Sequence, residues 1–257
     1  MSDVIAFFLD PANWQGTSGI PNRLLEHLVI SGAGILAATL IALPIGLYVG
    51  HTGRGAGIAI NLANIGRAIP SYAMMVIPLP FTLLLAPVIG YPPDFGLKFL
   101  PIFLAMTFLA IPPLLVSTYA GLRSVDRELI EAGRGMGLRE RQILARIEIP
   151  LASSIIVGGF RTATLQVIAT ATIGAILAGG GLGRFIFDGL SQGQSGYPSI
   201  YAGAILVSGL AIVVDLILSV VQQRLTPRAL RKPRVSRPPR GARSTDGSPV
   251  PEGSTAR

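Results

Sequence analysis

Residues 131–150 read EAGRGMGLRERQILARIEIP, a polar and amphipathic segment set between two long apolar stretches of the chain. The segment opens at Glu131, places Gly137 six residues later and Ile147 ten residues after that, and ends at Pro150. A chain that consists mainly of membrane-spanning helices does not need such a polar segment to cross a bilayer. The pattern therefore predicts a docking element for a soluble partner, with an ordinary basic loop between two membrane helices as the alternative.

Local turn chemistry predicts that this segment folds as a helix, a tight turn and a second helix. Ser124 or Asp126 is placed to cap the first helix, because a short side-chain oxygen can accept a free backbone N–H there. Glycines, which tolerate positive φ, interrupt that helix and place a sharp turn near residues 135–137. The interrupting residues are Gly133, Gly135 and Gly137. The second helix leads to Pro150, near the start of the next membrane span. Its apolar face comprises Ile143, Leu144 and Ile147.

The overall composition is that of a membrane protein. Of the 257 residues, 50% are apolar and 13% are charged, whereas soluble domains average about 25% charged residues. The mean hydropathy is +0.59. A membrane-spanning helix needs about 20 mostly apolar residues, and the sequence predicts an all-α integral membrane protein with about five transmembrane helices. The predicted spans are residues 28–50, 68–91, 99–122, 162–183 with an extension at 151–160 across Arg161, and a fifth from near 198 past Asp215 to about 221.

Basic residues are concentrated on one side of these spans, between the third and fourth and after the fifth, within a net charge of +8. Because cytoplasmic loops carry the excess of Lys and Arg, the C-terminus is predicted in the cytoplasm and the N-terminus outside. The domain organisation follows as an extracytoplasmic segment at 1–23, a membrane domain at 24–223 with a cytoplasmic loop at 123–150, and a basic, disordered tail at 224–257. The tail is interpreted as a topology anchor against anionic lipid rather than a nucleic-acid site.

Missing residue types limit the chemistry that the chain can perform. The sequence has no Cys and two His, which excludes disulfides and thiolate sites and argues against a His-based metal site. It has no phosphate-binding loop of the G-x4-G-K-[ST] type, so we expect no ATP hydrolysis by this chain, no enzymatic activity and no cofactor. His27 and His51, at opposite ends of the first span, are interpreted as interfacial polar residues rather than ligands or proton relays.

Charged and helix-breaking residues inside the spans are candidate elements of a transport path. A charge inside lipid costs at least about 2.5 kcal/mol, so Arg161 either lines a path, pairs with Asp215 or snorkels to the interface. Pro70 and the pair at 112–113 are expected to break the second and third spans, which suits a path that changes shape. The glycines after the fourth span are expected to form a flexible outer turn before a short helix at 182–190.

The loop resembles the cytoplasmic EAA loop of ABC importer permeases, E-A-A-x3-G-x9-I-x-L-P, with Gly133 at its third position and Ile149 at its penultimate one. Other elements are similar to permeases of the glycine betaine/carnitine/choline type, and the similarity covers roughly residues 24–225. These elements are the first span at 24–46, IPSYA at 69–73, TYAGL at 118–122, GMG at 135–137, QIL at 142–144, GFRTA at 159–163, ATATIG at 169–174 and GGGLG at 179–183.

The resemblance implies a type I ABC importer permease in a bacterial plasma membrane, surrounded by lipid. It implies cytoplasmic ATPase subunits, a second permease copy or a sister permease, and an extracytoplasmic substrate-binding protein. The expected ATPase-coupling residues are Glu131, Ala132, Gly133, Gly135, Met136, Gly137, Ile147 and Pro150. The expected residues of the translocation path or its gate are Arg161, Pro70, Gly180, Gly181 and Gly183.

The function implied by the resemblance is import of osmoprotectants, the quaternary ammonium compounds glycine betaine, choline and carnitine. A permease for another small solute, such as methionine or a sulfonate, is the alternative within the same class. A polytopic membrane enzyme and a proton-coupled carrier are the alternatives from other classes of protein. An enzyme needs a convergent set of reactive side chains in the spans, and a carrier needs ionisable groups in several of them.

Overall fold

The computed structural model describes residues 2–92, 98–177 and 179–226. This part of the chain is almost entirely helical and contains no strand. Most of the predicted tail at 224–257 lies outside the described residues. The α-helices in chain order are α1 (Ser2–Leu9), α2 (Ile20–Thr52), α3 (Ala56–Ala68), α4 (Ser71–Val76), α5 (Pro78–Ile89), α6 (Leu100–Arg123), α7 (Arg127–Gly135), α8 (Glu140–Ile143), α9 (Ile149–Gly174), α10 (Gly183–Ser191) and α11 (Tyr197–Leu225).

Within the described residues, five helical segments are long and apolar enough to cross a membrane, which confirms the predicted class and number. The first begins at Ile20 instead of residue 28, so it carries several polar residues at its start. The helix α3, which precedes the second span, was not predicted. The five segments are Ile20–Thr52, Ser71–Ile89, Leu100–Arg123, Glu140–Leu177 and Gly193–Leu225.

The fourth span ends earlier than the apolar run predicted. The helix α9 ends at Gly174, and a 3-10 turn at Ala175–Leu177 follows it, so the predicted end at residue 183 is wrong. The chain instead folds back onto α9, so closely that a methyl carbon added at Gly183 would collide with the carbonyl oxygen of Thr172. The short helix predicted at 182–190 is present as α10.

Prolines divide the second span but not the third. Ile69 is extended, Pro70 precedes α4, and Ile77 joins α4 to α5. The helix α6, by contrast, continues through Pro112 and Pro113, so the prediction that this pair breaks the third span is wrong. Both prolines are buried, and α2 and α9 pack against α6. The backbone groups that the prolines leave without partners are therefore shielded by protein rather than exposed to lipid.

A stripe of small residues brings α2 close to α6. It recurs every four residues and consists of Gly34, Ala38, Ala42, Gly46 and Gly50. A methyl carbon added at Gly34 would lie 2.6 Å from Cβ of Met106, and one at Gly46 would lie 2.7 Å from Cβ of Thr118. Helices in lipid associate through such close van der Waals packing, because lipid chains are as apolar as the side chains. The helix α6 contacts both α2 and α9 and forms the centre of the bundle.

Candidate functional site

The candidate docking loop has the predicted order of helix, turn and helix. The helix α7 begins after Asp126, whose Oδ1 accepts a backbone N–H two residues later at 2.9 Å. The turn lies at Gly137, which has φ of 82°. The N–H of Gly137 donates to the carbonyl of Arg134 at 2.9 Å. The N–H of Leu138 donates to the carbonyl of Gly133 at 3.1 Å, which completes the hydrogen-bond pattern of a helix that ends at a left-handed glycine.

Two of the three loop glycines lie inside α7, so the prediction that they interrupt the helix is wrong. Gly133 is buried, and a methyl carbon added there would lie 2.9 Å from Cδ1 of Ile147 and 3.6 Å from Cγ1 of Ile143. Because Gly133 has no side chain, α7 can lie against the second helix. Gly133 and Ile147, two positions of the EAA-like pattern, are therefore close together. Gly135 is the last residue of α7 and has open surroundings.

The second helix of the loop contains a π-helical turn instead of being regular. The helix α8 is followed by the π turn Leu144–Glu148, and the N–H of Ile149 donates to the carbonyl of Leu144, five residues earlier. Pro150 comes next, in the first turn of α9. Proline has no N–H and its ring crowds the carbonyl four residues earlier, so a wider π turn accommodates it. The loop and the fourth span therefore form one continuous helical segment, Glu140–Leu177.

A largely buried histidine–carboxylate pair, which the sequence did not reveal, fastens the loop to the first span. His51 Nδ1 lies 2.6 Å from Glu148 Oε2, and the two side chains are 14% and 4% exposed. His51 Nε2 also lies 3.4 Å from Oε2 of the more exposed Glu140. The sequence suggested only an interfacial polar residue at His51, and the structure adds this contact, because the end of α2 packs against the loop. One feature of the sequence could have suggested this pair. Glu148 follows the apolar face of the second helix and lies on the same predicted side of the membrane as His51.

Apolar packing and a surface ion pair complete the attachment of the loop. On the solvent side, Arg134 Nε donates to Glu140 Oε1 at 2.8 Å, and this hydrogen bond raises the pKa of the Arg134 guanidinium. Both of these side chains are half-exposed. The apolar cluster ties the loop to α2, α6 and α9, and its members are Leu47, Leu122, Val125, Ile130, Leu144, Ile147, Leu151, Ala152 and Ile156.

The solvent face of the loop exposes apolar side chains. Leu129 is 49% exposed and Met136 is 75% exposed, although each is a large apolar residue. Leu129 lies in α7 and Met136 directly follows it, and their spacing of seven residues places them on the same side. Glu131 and Ala132 are exposed as well. A surface of this kind, on a segment whose opposite face is firmly packed, is suited to contact with another protein.

The predicted gate glycines lie at the far end of the bundle, opposite the loop. Gly181 has φ of 93°. A methyl carbon added at Gly180 would lie 2.7 Å from Cδ of Glu26, and Gly183 packs against the carbonyl of Thr172. Close contacts surround this turn and require residues without side chains at these positions. Neither Glu26 nor its place beside the glycines was expected from the sequence.

His27 lies beneath this turn and is fully buried. Its Nε2 is 3.1 Å from the carbonyl oxygen of Ile168 in α9, whereas its Nδ1 has no hydrogen-bond partner. His27 is thus enclosed by protein, because α9 and the glycine turn cover the start of α2.

An ion pair joins α9 to α11 within the membrane-spanning segments. Arg161 Nη2 donates to Asp215 Oδ2 at 2.7 Å, and its Nε donates to the other carboxylate oxygen. Among the alternatives for Arg161, the structure shows the pairing with Asp215. Both side chains stay about one-third exposed in the single chain. Pro70, the remaining path candidate, is exposed and precedes α4.

Solved structures share this fold. Two inward-facing structures of the MetNI methionine ABC transporter superpose with TM-scores of 0.67, and in one of them the match covers 81% of this chain and 96% of the other at 22% identity. An amino acid ABC transporter with histidines matches with a TM-score of 0.57 at 16% identity, over 80% of this chain and 92% of the other. These likenesses confirm the predicted type of permease fold.

Closer similarity is found among bacterial permeases. The choline transport system permease protein OpuBB of Bacillus subtilis is 34% identical over 210 residues, which are 82% of this chain and 90% of the relative. The carnitine transport permease protein OpuCD of Listeria monocytogenes is 36% identical over 217 residues, covering 84% and 91% of the two chains. Residues 34–227 match the family described as the binding-protein-dependent transport system inner membrane component. The chain therefore belongs to this family of inner-membrane transport components.

Proposed function

We propose that this chain is the permease subunit of an ATP-driven ABC importer for osmoprotectants, which are quaternary ammonium compounds such as glycine betaine, choline and carnitine. The coupling part of this proposal is carried by the way the cytoplasmic loop at 123–150 is built. Its buried face is fixed to α2, α6 and α9, while its solvent face exposes Leu129 and Met136. A displacement imposed on the exposed face is thus passed to three spans together.

The coupling residues divide into two groups by their position in the loop. Glu131, Ala132 and Met136 are exposed and would meet the cytoplasmic ATPase. The others shape the loop and join it to the membrane: Gly133, Gly135, Gly137, Ile147 and Pro150. ATP hydrolysis would occur in the separate ATPase. Nucleotide drives the permease only if the ATPase binds it more tightly in one conformation of the complex than in the other.

The distribution of basic residues supports an orientation with the loop and C-terminus in the cytoplasm and the N-terminus outside. The far-end turn with Gly180, Gly181 and Gly183 would then face the extracytoplasmic binding protein and act as the outer gate. Arg161 would lie in the spans beside the path, and Pro70 at the start of α4 would allow the path to change shape. A second permease, identical or a sister chain, would complete that path.

The relatives named for choline and carnitine transport support the substrate class. The test is uptake of radiolabelled glycine betaine by cells that lack their own carriers and express this chain with its ATPase and binding protein. We expect uptake that requires the ATPase and that excess choline or carnitine inhibits, whereas methionine does not. Absence of uptake by an assembled complex, or inhibition by methionine alone, would contradict the osmoprotectant assignment.

A further inference from the structure

One carboxylate holds the far-end glycine turn against the start of α2. Glu26 Oε2 accepts the backbone N–H of Gly181 at 2.8 Å and a hydrogen bond from Arg23 at 2.9 Å. Its Oε1 accepts from Asn22 at 3.1 Å. Glu26 and Gly181 are separated by 155 positions in the sequence, so this contact joins the first span to the turn that follows the fourth.

The turn is shaped around this carboxylate. A methyl carbon added at Gly180 would overlap the carboxyl group of Glu26, and one added at Gly181 would lie 3.0 Å from His27 Nδ1. Gly181 also adopts a left-handed φ that other residues rarely tolerate. The backbone can therefore lie directly on Glu26 and His27 only because both positions lack side chains.

Two features make this contact suited to being made and broken. The Glu26 side chain is 37% exposed, so water can replace the Gly181 N–H when the turn moves away. His27 Nδ1, buried under the docked turn, has no partner. Buried polar atoms are nearly always hydrogen-bonded, so an unpartnered one favours a second arrangement in which it reaches water or another partner.

We propose that Glu26 is a positioning residue of the outer gate. It docks the turn formed by residues 179–183 on α2 when the gate is closed, and the turn leaves α2 in every transport cycle. This inference rests on the proposed transport function. It adds the specific contact that closes the gate, in which the Glu26 carboxylate accepts the backbone N–H of Gly181.

A pair of introduced cysteines tests the proposal directly. The chain contains no Cys, so the variant carrying Glu26→Cys and Gly180→Cys has only the two new thiols. A Cβ at position 180 would lie 3.3 Å from Cβ of residue 26, close to the separation of about 3.5–4.5 Å found in disulfides. Replacing Glu26 also removes the carboxyl group that a side chain at 180 would meet. We expect that, after oxidation, maleimide no longer labels the two cysteines and the complex no longer takes up solute. Reductant should restore uptake to the level measured before oxidation.

A second measurement does not depend on transport. Cross-linking should proceed at least about tenfold more slowly with the ATPase trapped by ATP and vanadate, because a minor docked conformation is populated to about 10% or less. Each single-cysteine variant, treated with the same oxidant, controls for other damage. Failure to cross-link would refute the docked contact. Its release would be refuted if uptake were equal before and after complete cross-linking, or if cross-linking proceeded at the same rate with and without trapping by ATP and vanadate. Uptake by the unaltered complex tests the transport function separately.

Discussion

The substitution Gly137→Pro is expected to abolish solute uptake while the chain still inserts into the membrane and assembles. Gly137 has φ of 82°, whereas proline fixes φ near −65°. The substitution also removes the N–H that donates to the carbonyl of Arg134. Apart from its neighbours in the chain, no atom lies within 4 Å of a Cβ added at Gly137, so the effect is expected to act through the backbone. Loss of this turn would change the path of the chain between the two helices of the loop.

Two controls make that result specific. Gly137→Asn should retain most of the uptake, because Asn enters the left-handed region at modest cost. Gly16→Pro places the same residue at another glycine of positive φ with open surroundings, far from the loop in sequence. Insertion is measured by membrane fractionation and assembly by co-purification with the ATPase. Normal uptake by Gly137→Pro, or equal loss of uptake by Gly16→Pro, would refute the role of this turn.

The second large effect is expected from His51→Leu, which should lower the stability of the permease by about 3–5 kcal/mol. The substitution removes the partner that lies 2.6 Å from Glu148 and leaves a buried carboxylate that is only 4% exposed. Removing one member of a buried pair has this cost because the other charge stays without compensation. The change is measured as reversible unfolding of the purified complex in detergent.

A double-variant cycle separates the pair from the packing around it. His51→Leu combined with Glu148→Leu removes both polar groups, so most of the lost stability should return. Glu140→Gln is the matched control, since Glu140 lies farther from His51 and is about half-exposed, and it should change stability little. If the single variant is as stable as the parent, or if the two single losses simply add in the double variant, the pair does not fasten the loop.

The features that could be predicted from the sequence are those determined by neighbouring residues. Apolar runs located the spans, and the cap at Asp126 and the turn at Gly137 followed from local backbone chemistry. Arg161 and Asp215 could be suggested as partners because they are isolated charges in apolar spans. In each of these cases, the decisive information lies within a few residues or in the contrast between a charge and its apolar surroundings.

The features that could not be predicted depend on contacts between distant parts of the chain. His51 and Glu148 are 97 positions apart, and no local pattern identifies one as the partner of the other. The glycine turn after α9 was expected to be flexible, and no local pattern showed that its glycines allow close packing against Glu26 and Thr172. The apolar run through that turn likewise concealed the end of the fourth span at Leu177.

The central claim, that this permease moves solute by coupling to a separate ATPase, is tested most directly in proteoliposomes. These would contain the chain and its ATPase, with the binding protein and radiolabelled glycine betaine on the outer side. We predict accumulation that requires ATP on the ATPase side and that is unchanged when the proton gradient is dissipated. Accumulation driven by a proton gradient in vesicles that lack the ATPase would contradict the claim and identify the chain as a carrier.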